Sequence, residues 1–187
     1  MIRVLLASIS SLNVCDLLGS AASRCEIVRV SGAGQARRRL ADDSFSLLII
    51  NSPLEDEMGA ELAIQAAERT GAGVLLLVRQ SVYAVAADKL EPYGVVVLQK
   101  PFNAADAQRA SRLLLATSAR LQNMKKATLK LRGQIDELKV VNRAKCVLMQ
   151  YLNMSEQEAH KYIERAAMES RRSRYEVAMD VIKTYDA

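Results

Sequence analysis

Five short apolar runs constrain this chain more than anything else in it. They are "IRVLLAS" (2–8), "EIVRV" (26–30), "LLIIN" (47–51), "GVLLLV" (73–78) and "GVVVLQ" (94–99). Each is leucine-rich or β-branched and apolar almost throughout, the pattern of a strand covered on both faces. Polar segments of helical character, rich in Ala and Arg, separate them at 33–42, 59–69 and 82–90. This alternation predicts an α/β doubly wound, five-stranded parallel sheet. In such sheets ligands and chemistry gather at the carboxyl ends of the strands.

Those ends offer little for catalysis. The third strand ends in Asn51, an amide and a poor nucleophile. His160 is the only histidine, so histidine triads and multi-histidine metal sites are excluded. "SGAGQARRRL" (31–40) carries a G-x-G, but Arg37 stands where a dinucleotide fingerprint needs a small residue. Gly32 and Gly34 therefore read as turn residues. The acid triplet Glu55, Asp56 and Glu57 reads as a solvated loop. Neither an enzyme nor a cofactor is expected. Cys15, Cys25 and Cys146 lack CxxC spacing and fit free thiols in a reducing cytoplasm. No run approaches the roughly 18 apolar residues of a membrane span.

From Ala104 to Gln150 the pattern becomes one long helix, or two with a weak point at Gly133. With Leu114 at a, the heptad seam comprises Leu114, Leu121, Met124, Leu131, Ile135 and Leu138, with Thr117 and Thr128 among them. This predicts a coiled coil and a homodimer. Asn142, also at an a position, either fixes register or marks the end of the coil. The flanking e and g positions carry Arg120, Lys125, Arg132 and Lys139 and no acids, so e-to-g salt bridges are absent. The alternative is a long helix that packs on its own domain.

The last 35 residues read as two compact helices. S-x-x-E capping boxes at Ser155/Glu158 and Ser173/Glu176 open them. Both have an amphipathic stripe, and with the end of the long helix they close a small three-helix core. Charge is uneven along the chain: residues 1–115 hold 12 Lys and Arg against 12 acids, and residues 116–187 hold 14 against 9. The whole +5 therefore lies in the last third, as expected of a polyanion-binding module or of a solvated helical surface. Lys145, Lys161, Arg165, Arg171, Arg172 and Arg174 form a dense positive cluster within 30 residues. Tyr151, Tyr162 and Tyr175 either offer stacking faces to a ligand or fill the core.

Two resemblances follow from these residues. Residues 1–120, with five β-α units and "KPF" (100–102) after the fifth strand, resemble a response-regulator receiver, which implies a receiver/flavodoxin-like fold. In that family an aspartate at the end of the third strand accepts a phosphoryl group and acids after the first strand bind Mg²⁺. A Ser or Thr ends the fourth strand and a Lys the fifth. Here the corresponding positions hold Asn51, Ala7-Ser8, Val78 and Lys100. Only the lysine survives, which implies a pseudo-receiver with neither phosphorylation nor metal. The stretch 142–185 resembles an ANTAR domain, the RNA-binding module of transcription antiterminators. The matching residues are Ala144-Lys145, Leu148-Met149, Ser155 to Ala159, Ala167-Met168 and Val177-Ala178, with Cys146 where Gly is frequent.

The resulting domain expectation is a pseudo-receiver (1–115), a coiled-coil linker (112–142) and an ANTAR three-helix module (143–187). The resemblance implies an antiterminator acting on leader-RNA hairpins, with Lys145, Lys161, Arg165, Arg171, Arg172 and Arg174 as the candidate RNA contacts. The rival is a regulator whose pseudo-receiver docks a sensor partner. A DNA-binding regulator is disfavoured, because 174–187 combines an apolar stripe with the acids Glu176, Asp180 and Asp186 instead of base-reading residues.

Overall fold

The computed structural model describes residues 2–185. The chain divides into two compact units, Met1–Asn123 and Met124–Ala187.

The first unit is built on strands β1 (Ile2–Ala7), β2 (Cys25–Val30), β3 (Leu47–Asn51), β4 (Gly73–Arg79) and β5 (Val95–Lys100). All pair in parallel in the order β2-β1-β3-β4-β5. The continuous apolar runs are explained by side-chain alternation between two buried faces. Leu5, Leu48, Ile50, Val74 and Leu76 face one core together with helices α2 (Ala33–Asp42), α3 (Ala60–Arg69) and α4 (Gln80–Leu90). Val4, Leu6, Leu47, Ile49, Leu75 and Leu77 face the other, under α1 (Val14–Leu18) and the start of α5 (Ala104–Leu152). The short α1 and the 3₁₀ turn Gly19–Arg24 after it had no clear periodic signature in the sequence.

Helix α5 docks on the sheet through a stripe of small residues and leucine. Ala107, Ser111, Leu114 and Ser118 are all buried. Ser118 Oγ donates to the Gly71 carbonyl at 2.6 Å. Leu114, counted with the coil seam in the sequence, is thus occupied within its own domain and only 6% exposed. The remaining named seam residues, Leu121, Met124, Leu131, Ile135 and Leu138, are 50–62% exposed. Gly133 does not break the helix.

The second unit comprises the later part of α5 with α6 (Glu156–Ser170) and α7 (Arg174–Tyr185). Its core holds Val141, Ala144, Val147, Leu148, Ala159, Ile163, Ala167, Val177, Ala178 and Val181. Ser155 caps α6, accepting from the Glu158 amide while the Glu158 carboxylate accepts from the Ser155 amide at 2.8 Å. Ser173 and Glu176 repeat this arrangement at α7. Replacing a capping serine by alanine costs about 1 kcal/mol. The backbone amides of Ser155 and Ser173 hold the Glu158 and Glu176 carboxyls below the ordinary range, with the serine hydroxyls second. Arg171 ends α6 in the left-handed region at φ 53°. No helix among the described residues is long and apolar enough to cross a membrane.

Candidate functional site

In the first unit the sheet order reverses direction between β1 and β3, and the carboxyl ends of these strands form the expected crevice. Asn51 closes β3 there and is 7% exposed. Its Nδ2 donates to Ser8 Oγ at 2.9 Å and to Ser10 Oγ at 3.0 Å. Its Oδ1 accepts from Lys100 Nζ at 2.8 Å, and the same ammonium also donates to the Ser52 carbonyl. Asn51, Ser8 and Lys100, drawn from three strand ends, are therefore brought into one hydrogen-bonded cluster. Val78 is buried in β4 and contributes packing only. Ser10 was not legible as a participant, because it lies in the loop after β1, where no periodicity places it. Burial, with the Arg79 charge second, holds the Lys100 ammonium below its usual pKa. An amide satisfied on both sides can position a lysine, but it offers no nucleophile.

The acid triplet is not a free loop. Asp56 accepts from the Ala33 amide at 2.7 Å and the Gly34 amide at 2.8 Å, the open N-terminus of α2. These bonds, Gly34 first, hold its carboxyl below the ordinary range. Glu55 accepts from Ser31 Oγ at 2.6 Å. Glu57 pairs with Arg37 at 2.7 Å and accepts from the Leu62 amide. Gly32 is the residue preceding α2 and Gly34 lies inside it, so neither is an ordinary turn glycine. A Cβ on Gly32 would lie 3.1 Å from the Asp56 carboxylate. The helix N-terminus that a dinucleotide phosphate would need is filled by the protein's own carboxylate.

In the second unit most of the candidate RNA contacts are engaged in ion pairs. Lys145 meets Glu156 at 2.8 Å. Arg172 meets Asp180 at 2.6 Å, which raises its pKa further. Arg174, the first residue of α7, reaches Glu137 at 3.7 Å and Glu164 at 3.9 Å. Arg165 lies 3.9 Å from Glu169. Lys161 makes no ion pair within 4 Å among the described residues, although its charge helps hold the Glu158 carboxyl low, and Arg171 has no acid partner there. Arg172, Arg174, Glu164 and Met168 line one shallow depression, with Met168 80% exposed. Tyr162 packs against the core, Tyr151 lies 6.1 Å from Tyr185 in a tilted ring contact, and Tyr175 is exposed. His160 is half-exposed beside Glu164. Asp186 lies outside the described residues.

Comparison with known proteins matches residues 129–182 to the ANTAR domain. The chain is 28% identical over 160 residues to the transcriptional regulatory protein PdtaR of Mycobacterium tuberculosis, covering 85% of this chain and 78% of that one. The first unit resembles the response regulatory domain of protein mrkE from Klebsiella pneumoniae. That likeness has a TM-score of 0.53 at 16% identity and covers 64% of this chain and 99% of that one. A receiver domain from Clostridium thermocellum gives 0.55 at 16%, over 65% and 99%. A structure described as an adenylate cyclase from Rhodopirellula baltica gives 0.58 at 19%, over 68% and 96%. At these identities the structural likenesses establish the fold alone.

Proposed function

We propose that this chain, an ANTAR response regulator with a receiver-like N-terminal domain, is an RNA-binding antiterminator acting on hairpins in leader RNA. The observation that carries the reading is the coincidence of the matched residues 129–182 with a folded, basic three-helix module. Lys and Arg supply phosphate affinity, and Arg stacks on splayed loop bases. In this reading residues 1–115 are the regulatory domain, 112–142 the coupling helix and 143–187 the RNA module. A second copy of the chain covers the exposed seam from Leu121 to Leu138. The pair then presents two modules to two hairpins and gains effective concentration.

Hairpin RNA should bind in preference to scrambled RNA in a filter assay. Arg172→Ala should weaken that binding roughly tenfold, as expected for loss of one charged contact, and Lys145→Ala should act in the same direction. Equal retention of hairpin and scrambled RNA defeats the reading.

The receiver-like domain is proposed to be unphosphorylated. Its support is the cluster of Asn51, Ser8, Ser10 and Lys100, which holds no carboxylate among its hydrogen-bond partners. Incubation with a small-molecule phosphodonor and Mg²⁺ should leave the intact mass unchanged. A phosphorylated species sinks this part of the proposal.

A further inference from the structure

Positive charge on the second unit is distributed differently from its count. Four of the six cations in the candidate RNA set already face an acid within 4 Å. By contrast Lys125, Lys126, Lys130, Arg132 and Lys139, all on α5, are exposed and have no acid partner among the described residues. Between Met124 and Asn142 these five stand against two acids, Asp136 and Glu137. The second unit therefore carries a cluster of exposed cations without acid partners on its long helix, outside the packed core.

The helix arranges part of this charge in a line. Lys125, Arg132 and Lys139 recur every seven residues, so they stack along one face over about 21 Å at 1.5 Å per residue. That line borders the exposed seam of Met124, Leu131, Ile135 and Leu138 without belonging to it. A second copy covering the seam leaves the line at the rim. It also brings one strongly basic helix beside another, a repulsion that a bound polyanion relieves. An acidic helix would also be attracted, but the apolar seam that it would cover is already taken in a paired chain.

We infer that Lys125, Arg132 and Lys139 form a phosphate-binding ridge for the RNA backbone that flanks the hairpin, separate from the cations from Lys145 to Arg174 that meet the loop, although Arg132 and Lys139 fall within the matched residues 129–182. The inference rests on the RNA-binding reading above. The ridge supplies affinity and salt dependence but no sequence preference, because contacts to phosphate carry no base information.

The test compares the full-length wild type with the triple variant Lys125→Gln, Arg132→Gln, Lys139→Gln. Glutamine keeps the helix propensity of the residues that it replaces. Hairpin RNA with single-stranded flanks is titrated across a salt series. Removing three phosphate contacts to a single strand should lower the salt slope by about 2, so between about 50 and about 200 mM salt the wild type loses roughly 16-fold more affinity than the variant. Preference for the hairpin over a scrambled loop should survive. An unchanged slope overturns the ridge alone. Absence of RNA binding by the wild type overturns the RNA reading and the ridge with it. A variant that light scattering finds monomeric where the wild type is dimeric also overturns the ridge, because its residues then serve self-association.

Discussion

Leu148→Ala should unfold the C-terminal module and leave the sheet domain intact. Leu148 is fully buried in the second core, which it shares with Ala144, Val147, Ile163 and Val181. Cutting a buried leucine to alanine costs about 2–5 kcal/mol, through lost burial and the cavity left behind. A core in a module below about 70–80 residues rarely supplies more than about 3–5 kcal/mol in all. The single substitution is therefore of the same size as the stability that it draws on. Hydrogen exchange checks the result: amide protection across 141–182 should vanish while β1 to β5 stay protected, and RNA binding should fall with the module. A conservative Ile163→Val at the same core should cost only about 0.5–1.5 kcal/mol and keep the module folded. Persistent module protection in Leu148→Ala would show that the core collapses around the loss.

The second large effect is expected at Gly73, where β4 begins beneath α5. A Cβ there would lie 2.7 Å from Leu114 Cβ, 3.0 Å from its carbonyl oxygen and 3.1 Å from its carbonyl carbon. Two of those atoms are helix backbone and cannot rotate aside. Gly73→Val should therefore lift α5 from the sheet and destabilise the first unit by about 1–3 kcal/mol or more, the range for overpacked cores. The Ser118 bond to Gly71 lies on the same contact and should weaken with it. Urea unfolding of the sheet domain reads the outcome as a lower midpoint at unchanged slope. Gly73→Ala should act in the same direction and less strongly. An unchanged midpoint for the valine variant would contradict the packing described here.

The sheet was legible because a strand buried on both faces must be apolar at every position, so each run announced itself without help from the rest of the chain. Strand ends moved by a residue or two: β4 continues to Arg79 and α4 begins directly at Gln80. The capping boxes were equally legible, since both partners lie three residues apart and the bonds are local. Around Asn51 the three strand ends could be listed in advance, and Lys100 does meet the amide. Ser10 could not be listed, for it lies in the loop after β1, whose path only the fold decides. The acid triplet misled for the same reason. Three adjacent carboxylates look solvated, yet their partners Ser31, Ala33, Gly34 and Arg37 are 20 or more residues away.

The heptad argument shows the limit most clearly. Leu114 satisfies the seam pattern as well as Leu121 does, yet Gly73 lets β4 approach so closely that Leu114 is enclosed in the first unit. Nothing in the local sequence separates the two leucines. The sequence by itself determined what depends on near neighbours and on composition: the strand order along the chain, the longer helices, the parallel sheet, the caps and the location of net charge. Only the tertiary structure decided which cations are neutralised, which leucines remain exposed and which carboxylate fills the α2 N-terminus. Those outcomes depend on distances between elements far apart in the chain. A Coulomb or packing energy falls with separation in space, and periodicity along the sequence carries no record of it.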